Sequence, residues 1–163
     1  IVPMTYEEIN DYYGYKLVEV FNGLGGIAEA QWDSVLSKNH KVWGLAVDDY
    51  HNSNHINFNK GWIVLHANHN NKDEILASLK QGNFYSSTGH DIRITVQGNM
   101  IIASSTDLSS FSFISKGNLI KIEHNVTSSK YKIQGDELYI RVKSVNMRTG
   151  TMAWSQPIFI YRK

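Results

Sequence analysis

The chain has 163 residues, enough for one domain, or for part of one with a small appendage. Its 42% hydrophobic and 12% aromatic content can fill a core and excludes compositional disorder. Sixteen Lys and Arg against fifteen Asp and Glu leave a net charge of +1, which argues against a nucleic-acid channel or a membrane-surface helix. No apolar run approaches the roughly 18 residues of a membrane-spanning helix, and no signal-peptide pattern is present. Cysteine is absent, which excludes disulfides and thiolate metal sites. The compartment is left unfixed, with a lean towards the cytoplasm.

In chain order, Thr5-Tyr6-Glu7-Glu8 has the capping-box pattern and predicts a short helix to about Tyr13. Leu17 to Phe21 reads as a buried strand, and Asn22-Gly23-Leu24-Gly25-Gly26 as a flexible loop. Ala28, Trp32, Val35 and Leu36 share one face at helical spacing, which predicts a helix over 29–38. Val42 to Val47 is an unbroken apolar run, the pattern of a parallel strand covered on both sides. Strand, helix, strand in that order is a βαβ unit, so the two strands are expected to run parallel.

A second apolar run, Trp62 to Leu65, precedes a helix with clear ends: Asn71 as N-cap, Ile75, Leu76 and Leu79 on the buried face, and Gly82 just past the end. Phe84 to Ser87 reads as a short strand entering a turn at Thr88-Gly89. From Asp91 the hydrophobic period becomes two. Ile92, Ile94 and Val96 alternate with polar residues, as do Phe111 and Phe113, and Leu138, Ile140 and Val142 alternate with Arg141 and Lys143. Gly98-Asn99, Gly117-Asn118 and Gly135-Asp136 are turn signals. The chain therefore divides into 1–89, with mixed helix and strand, and 90–163, a small antiparallel β-sandwich.

Chemistry-bearing residues concentrate where Val42–Val47 runs into Asp48-Asp49-Tyr50-His51. Ligands in α/β folds bind beyond the carboxyl ends of parallel strands. In an extended chain Asp49 and His51 face the same way and offer one carboxylate oxygen and one imidazole nitrogen to a common point. That donor set suits Zn, Mn or Fe, although two protein ligands are fewer than a catalytic zinc normally has. Asp48 faces away or orients His51. Among the other histidines, His66 and His69 flank a polar loop, and His40, His90 and His124 have no partner at ligand spacing. No phosphate loop or nucleophile elbow is present.

The order of segments carries a resemblance. Leu17-Val18-Glu19-Val20-Phe21-Asn22, Trp32 to Leu36, Gly44 to His51, Gly61 to Val64, Gly82 to Gly89, and Ala153 to Ile158 together resemble the later part of PHP (polymerase and histidinol phosphatase) domains. They look closest to the stand-alone bacterial metal-dependent phosphoesterases. The resemblance implies the C-terminal part of a distorted (βα)7 barrel, an α/β or α+β chain whose residues 1–89 close the barrel and whose residues 90–163 form the sandwich. It implies that Asp49 and His51 are metal ligands, that Glu19 supports them, and that the remaining ligands lie on strands preceding this chain. The activity implied for a complete member is hydrolysis of a small phosphorylated substrate by metal-activated water. This chain alone is expected to be inactive, to hold a divalent metal weakly, and to self-associate through an uncovered edge of Leu17–Phe21 unless its N-terminal helix covers that edge. A non-catalytic sandwich that binds or supports a partner is the alternative.

Overall fold

The computed structural model describes residues 4–12, 14–51 and 58–161. Helix α1 (Tyr6–Asp11) starts at Thr5, whose hydroxyl accepts from Glu8 N while the Glu8 carboxylate accepts from Thr5 N, so the capping box is complete. Strand β1 (Leu17–Asn22), helix α2 (Glu29–Ser37) and strand β3 (Trp43–Val47) form the expected βαβ unit. β1 and β3 are parallel, with Leu17 beside Trp43 and Asn22 beside Val47. Residues 22–26 form a turn rather than a loose loop. The Asn22 side chain accepts from the backbone amides of Leu24 and Gly25, and the short β2 (Gly26–Ile27) returns antiparallel on β1.

Beyond this unit the architecture departs from the expected barrel. β4 (Trp62–Leu65) does not continue a parallel sheet: it pairs antiparallel with β5 (Phe84–Ser87), and between them lies α3 (Lys72–Gln81). β5 in turn pairs with β10 (Met152–Trp154), and β10 with β9 (Tyr139–Asn146). β9 pairs with β7 (Met100–Ser115), and β7 with β6 (Arg93–Gln97). β8 (Asn118–Lys132) lies on β7, and β11 (Ile158–Phe159) on β9. The result, among the described residues, is a mostly β fold with an antiparallel half-barrel sheet and three helices, not part of a (βα)7 barrel. The physical reason is that apolar runs such as Trp62–Leu65 report burial without reporting strand direction. Here they find an antiparallel neighbour, and strands from both sides of Gly89 share one sheet. The β-rich part fits a sandwich-like description.

Instead of several short strands, residues 100–132 make two long ones. Their turn is Lys116-Gly117, one residue earlier than the turn signal suggests. Both residues have positive φ (49° and 73°), as a two-residue I′ turn demands. The hairpin also turns a corner. Ser104 pairs with Ser128 and Ser109 with Val126, so residues 105–108 of β7 leave the ladder, and Asn125 of β8 sits at φ 59°. Side chains far apart along β8 then meet: Lys121 Nζ donates to Lys130 O at 2.6 Å, and Ser129 Oγ to Glu123 Oε2 at 2.7 Å.

Two cores result. One gathers Ile9, Val20, Trp32, Val35, Leu36, Val42, Tyr139 and Trp154 around α2 and the parallel pair. The other lies within the curved sheet and is built on Phe111, Phe113, Ile140 and Val142. The parallel pair is tied to the large sheet at Gly44. The Gln156 side chain accepts from Gly44 N and donates to Gly44 O, both at 2.8 Å, so one side-chain amide serves the open edge of β3 as a strand would. Ser86 Oγ donates to the same carbonyl at 2.7 Å. Any side chain at Gly44 would collide, since a Cβ there would come within 2.7 Å of Val20 and 2.8 Å of Trp32. α1 packs on α2 and inserts Ile9 into the first core, while β2 covers only the Phe21–Asn22 end of β1.

Candidate functional site

Asp49 and His51 lie just past the carboxyl end of β3, but the chain there is not extended. Asp49 has φ 54°, in the left-handed region. The resulting turn folds the His51 ring back: its Nδ1 lies 2.7 Å from the Asp49 carbonyl oxygen and 3.6 Å from Asp49 Oδ1. A carbonyl oxygen can only accept, so Nδ1 carries a proton, and in the neutral ring Nε2 carries the lone pair. The other carboxylate oxygen, Asp49 Oδ2, is buried and meets no hydrogen-bond donor among the described residues. The two sequence-predicted ligands are thus neighbours, joined by a turn rather than by strand alternation. No group of three or more His, Cys, Asp or Glu that could hold a metal exists among the described residues.

Asp48 has a different task. Its carboxylate accepts from the consecutive backbone amides of Asn59, Lys60 and Gly61 at 2.7, 2.5 and 2.8 Å. The little burial it has works to raise its pKa, and these amides outweigh that and hold it below the ordinary value. Residues 59–61 are thereby fixed against the end of β3. The Glu19 carboxylate accepts from Asn22 Nδ2 at 2.9 Å and so supports the β1 turn. His69 is engaged at the start of α3, with Nδ1 2.6 Å from Glu74 Oε1, where Asn71 also caps by accepting from Glu74 N.

Two other polar clusters escape sequence reading. At the sheet corner, His90 is buried with its side chain 1% exposed. Its Nε2 is 3.0 Å from both Ser109 Oγ and Ser144 Oγ and 3.3 Å from Ser105 Oγ. Beside it the Asp91 carboxylate accepts from Ser105 Oγ, Thr106 N and Thr106 Oγ1, which binds residues 105–106 where they leave the ladder. Asn146 Nδ2 donates to Asp107 Oδ2 at 2.9 Å. His124 Nδ1 also meets a serine, Ser110 Oγ, at 2.9 Å.

The second cluster joins α2 to β9. Arg141, its side chain 1% exposed, donates from Nε and Nη2 to the two oxygens of Asp33 and from Nη1 to Glu29 Oε2, at 2.6–2.8 Å. Lys143 Nζ reaches Glu29 Oε1 at 2.6 Å, and Tyr139 OH donates to Asp33 Oδ1 at 2.7 Å. Burial works to raise Glu29, but Arg141 and Lys143 hold it below its ordinary value. Burial and the adjacent Asp33 carboxylate both push Tyr139 up. Arg141 also lies over the Trp32 ring, 5.2 Å from its centroid. Strand alternation alone puts Arg141 on the polar face; α2 covers that face, so the charge is buried and paired.

Comparison with protein-family models, with curated proteins and with solved structures returns no match for this chain.

Proposed function

We propose that the turn at the end of β3 is part of a metal centre, and that the chain is the C-terminal part of a metal-dependent phosphoesterase acting on a small phosphorylated substrate. One observation carries this: His51 Nδ1 is held by the Asp49 carbonyl while Asp49 Oδ2 is buried without a donor among the described residues. A carbonyl on Nδ1 is how proteins aim the other imidazole nitrogen at a metal, and a buried carboxylate oxygen lacking a donor suits a cation. Asp49 and His51 would hold a divalent ion such as Zn, Mn or Fe, with further ligands from outside the described residues. The ion supplies Lewis-acid activation of water for ester hydrolysis. Asp48 keeps residues 59–61 in place beside it.

The test is zinc and manganese titration by calorimetry, with p-nitrophenyl phosphate turnover measured in parallel. Weak binding that is lost in His51→Ala and Asp49→Ala but kept in His69→Ala supports the reading, together with negligible turnover by the 163-residue chain. Binding that is indifferent to His51→Ala overturns the site. Fast turnover by this chain overturns its being an incomplete centre.

A second reading, a non-catalytic binding or structural module, is favoured by the Arg141 cluster. Its charges are paired with one another and so join α2 to β9. Self-association through the part of β1 not covered by β2 is compatible with either reading, and light scattering of the purified chain measures it.

A further inference from the structure

Between α2 and the outer face of the curved sheet runs an open groove of about 570 Å³, within the range of ligand clefts. Its walls follow from two periodicities. On α2, Glu29, Asp33 and Ser37 fall at successive four-residue steps, so they share a face, while Trp32, Val35 and Leu36 turn into the core. On β7 and β9, Ser112 and Ile114, and Arg141 and Lys143, are the alternate residues to Phe111 and Phe113, and Ile140 and Val142, which fill the second core. The Lys116-Gly117 turn and Leu119, which is 55% exposed, close one end.

The chemistry of the walls selects the ligand. Lys116 Nζ donates to the Asp136 carbonyl, and the two other cations are already paired with carboxylates, Arg141 with Asp33 and Glu29 and Lys143 with Glu29. A phosphate or carboxylate would have to compete with Glu29 and Asp33 for those cations, and an amine would have to compete with Arg141 for those carboxylates. What the groove offers is further hydrogen-bonding capacity on groups that are held still. A lysine ammonium has three donors and a carboxylate about four lone-pair sites, and the hydroxyls of Ser34, Ser37 and Ser112 both donate and accept. Ile114 and Leu119 add an apolar strip. A neutral molecule with many hydroxyls and one C–H face matches that set.

We propose that this groove binds a saccharide, as a mono- or disaccharide or as the end of a glycan. The site is separate from the Asp49–His51 turn and stands whether or not that turn holds a metal. Nitrogen-15 HSQC spectra of the full chain, titrated with glucose, galactose, N-acetylglucosamine and maltose, test it, with inorganic phosphate as the competing chemistry. The expected result is saturable shifts for at least one sugar, centred on the amides of Ser34, Ser37, Ser112 and Gly117–Leu119. Ser112→Trp, which fills the groove, should weaken that binding by about tenfold or more. Ser37→Tyr, on an exposed part of the opposite wall, provides an independent block that leaves the sheet intact. Absence of saturable shifts with all four sugars overturns the proposal. So does sugar binding that both folded variants retain, or saturation by phosphate alone.

Discussion

The molecule uses a histidine beside an aspartate in two places, and the settings are opposite. At the sheet corner His90 is buried, faces three serine hydroxyls, and has a neighbour, Asp91, that holds residues 105–106. At the end of β3 the His51 side chain is 55% exposed, Asp49 sits at φ 54°, and one of its carboxylate oxygens lacks a donor among the described residues. The corner resembles the Arg141 cluster: its polar atoms are matched by partners from distant strands, which is what holding a fold together requires. The β3 turn differs in that the carboxylate of its left-handed residue keeps a buried oxygen with no donor among the described residues. The contrast sets polar groups matched within the fold against a turn that we propose for binding, and substitutions can break it.

The largest effect should come from Arg141. Removing a buried charge leaves Asp33 and Glu29 uncompensated, so Arg141→Ala should destabilise the chain by about 3–5 kcal/mol in urea denaturation. A loss below about 1 kcal/mol, the worth of an exposed pair, would mean the cluster is solvated and does not join α2 to β9.

His90 comes next. His90→Leu keeps the volume but leaves Ser109 and Ser144 facing methyl groups, at a cost of about 1–3 kcal/mol. Acid should act through the same residue. Burial pushes His90 below its ordinary value against the pull of Asp91 and Asp107. The folded chain therefore keeps the ring neutral while the unfolded chain takes up a proton near about pH 6.5. The stability that depends on the neutral ring is full above that pH and is lost as pH falls from there through the lower folded value. Thermal melting between pH 7.5 and 5 should show that decline, and His90→Gln should flatten it. An unchanged slope in His90→Gln would assign the acid sensitivity elsewhere.

What was legible in the sequence is what local physics encodes. The Thr5 and Asn71 caps and the Gly82 stop each follow from residues within a few positions of one another, and the parallel β1–α2–β3 unit from the order of three such local patterns. Asp49 and His51 were legible as a pair for the same reason, though not the turn that joins them. Hidden from local reading were partners far apart in the chain. Arg141 and Asp33 are 108 residues apart, and His90 meets serines 15, 19 and 54 residues away. The barrel expectation failed for another reason: the apolar run of β4 is readable but its direction is not, and it pairs antiparallel with β5.

The smallest change is the most discriminating. Asp49 adopts a conformation that costs an ordinary residue about 1–2 kcal/mol and costs aspartate less, because its short side chain tolerates it. Glycine is free of that cost, which by itself is worth up to about 1 kcal/mol of stability, whereas if the Asp49 side chain serves the fold, Asp49→Gly should lose its contacts and be less stable. If Asp49 serves a metal, the same variant should gain that stability in a chelating buffer and lose the stabilisation that added zinc gives the parent chain. Asp49→Asn keeps the side-chain shape while removing the charge. It should fall between the two in zinc dependence, because an amide oxygen remains a ligand, only a weaker one. Melting temperatures of the three proteins, with and without zinc, decide the matter. A parent chain that melts at the same temperature in both buffers, and an Asp49→Gly variant that is less stable than it, would make Asp49 a structural residue and move the β3 turn to the same side of the comparison as His90.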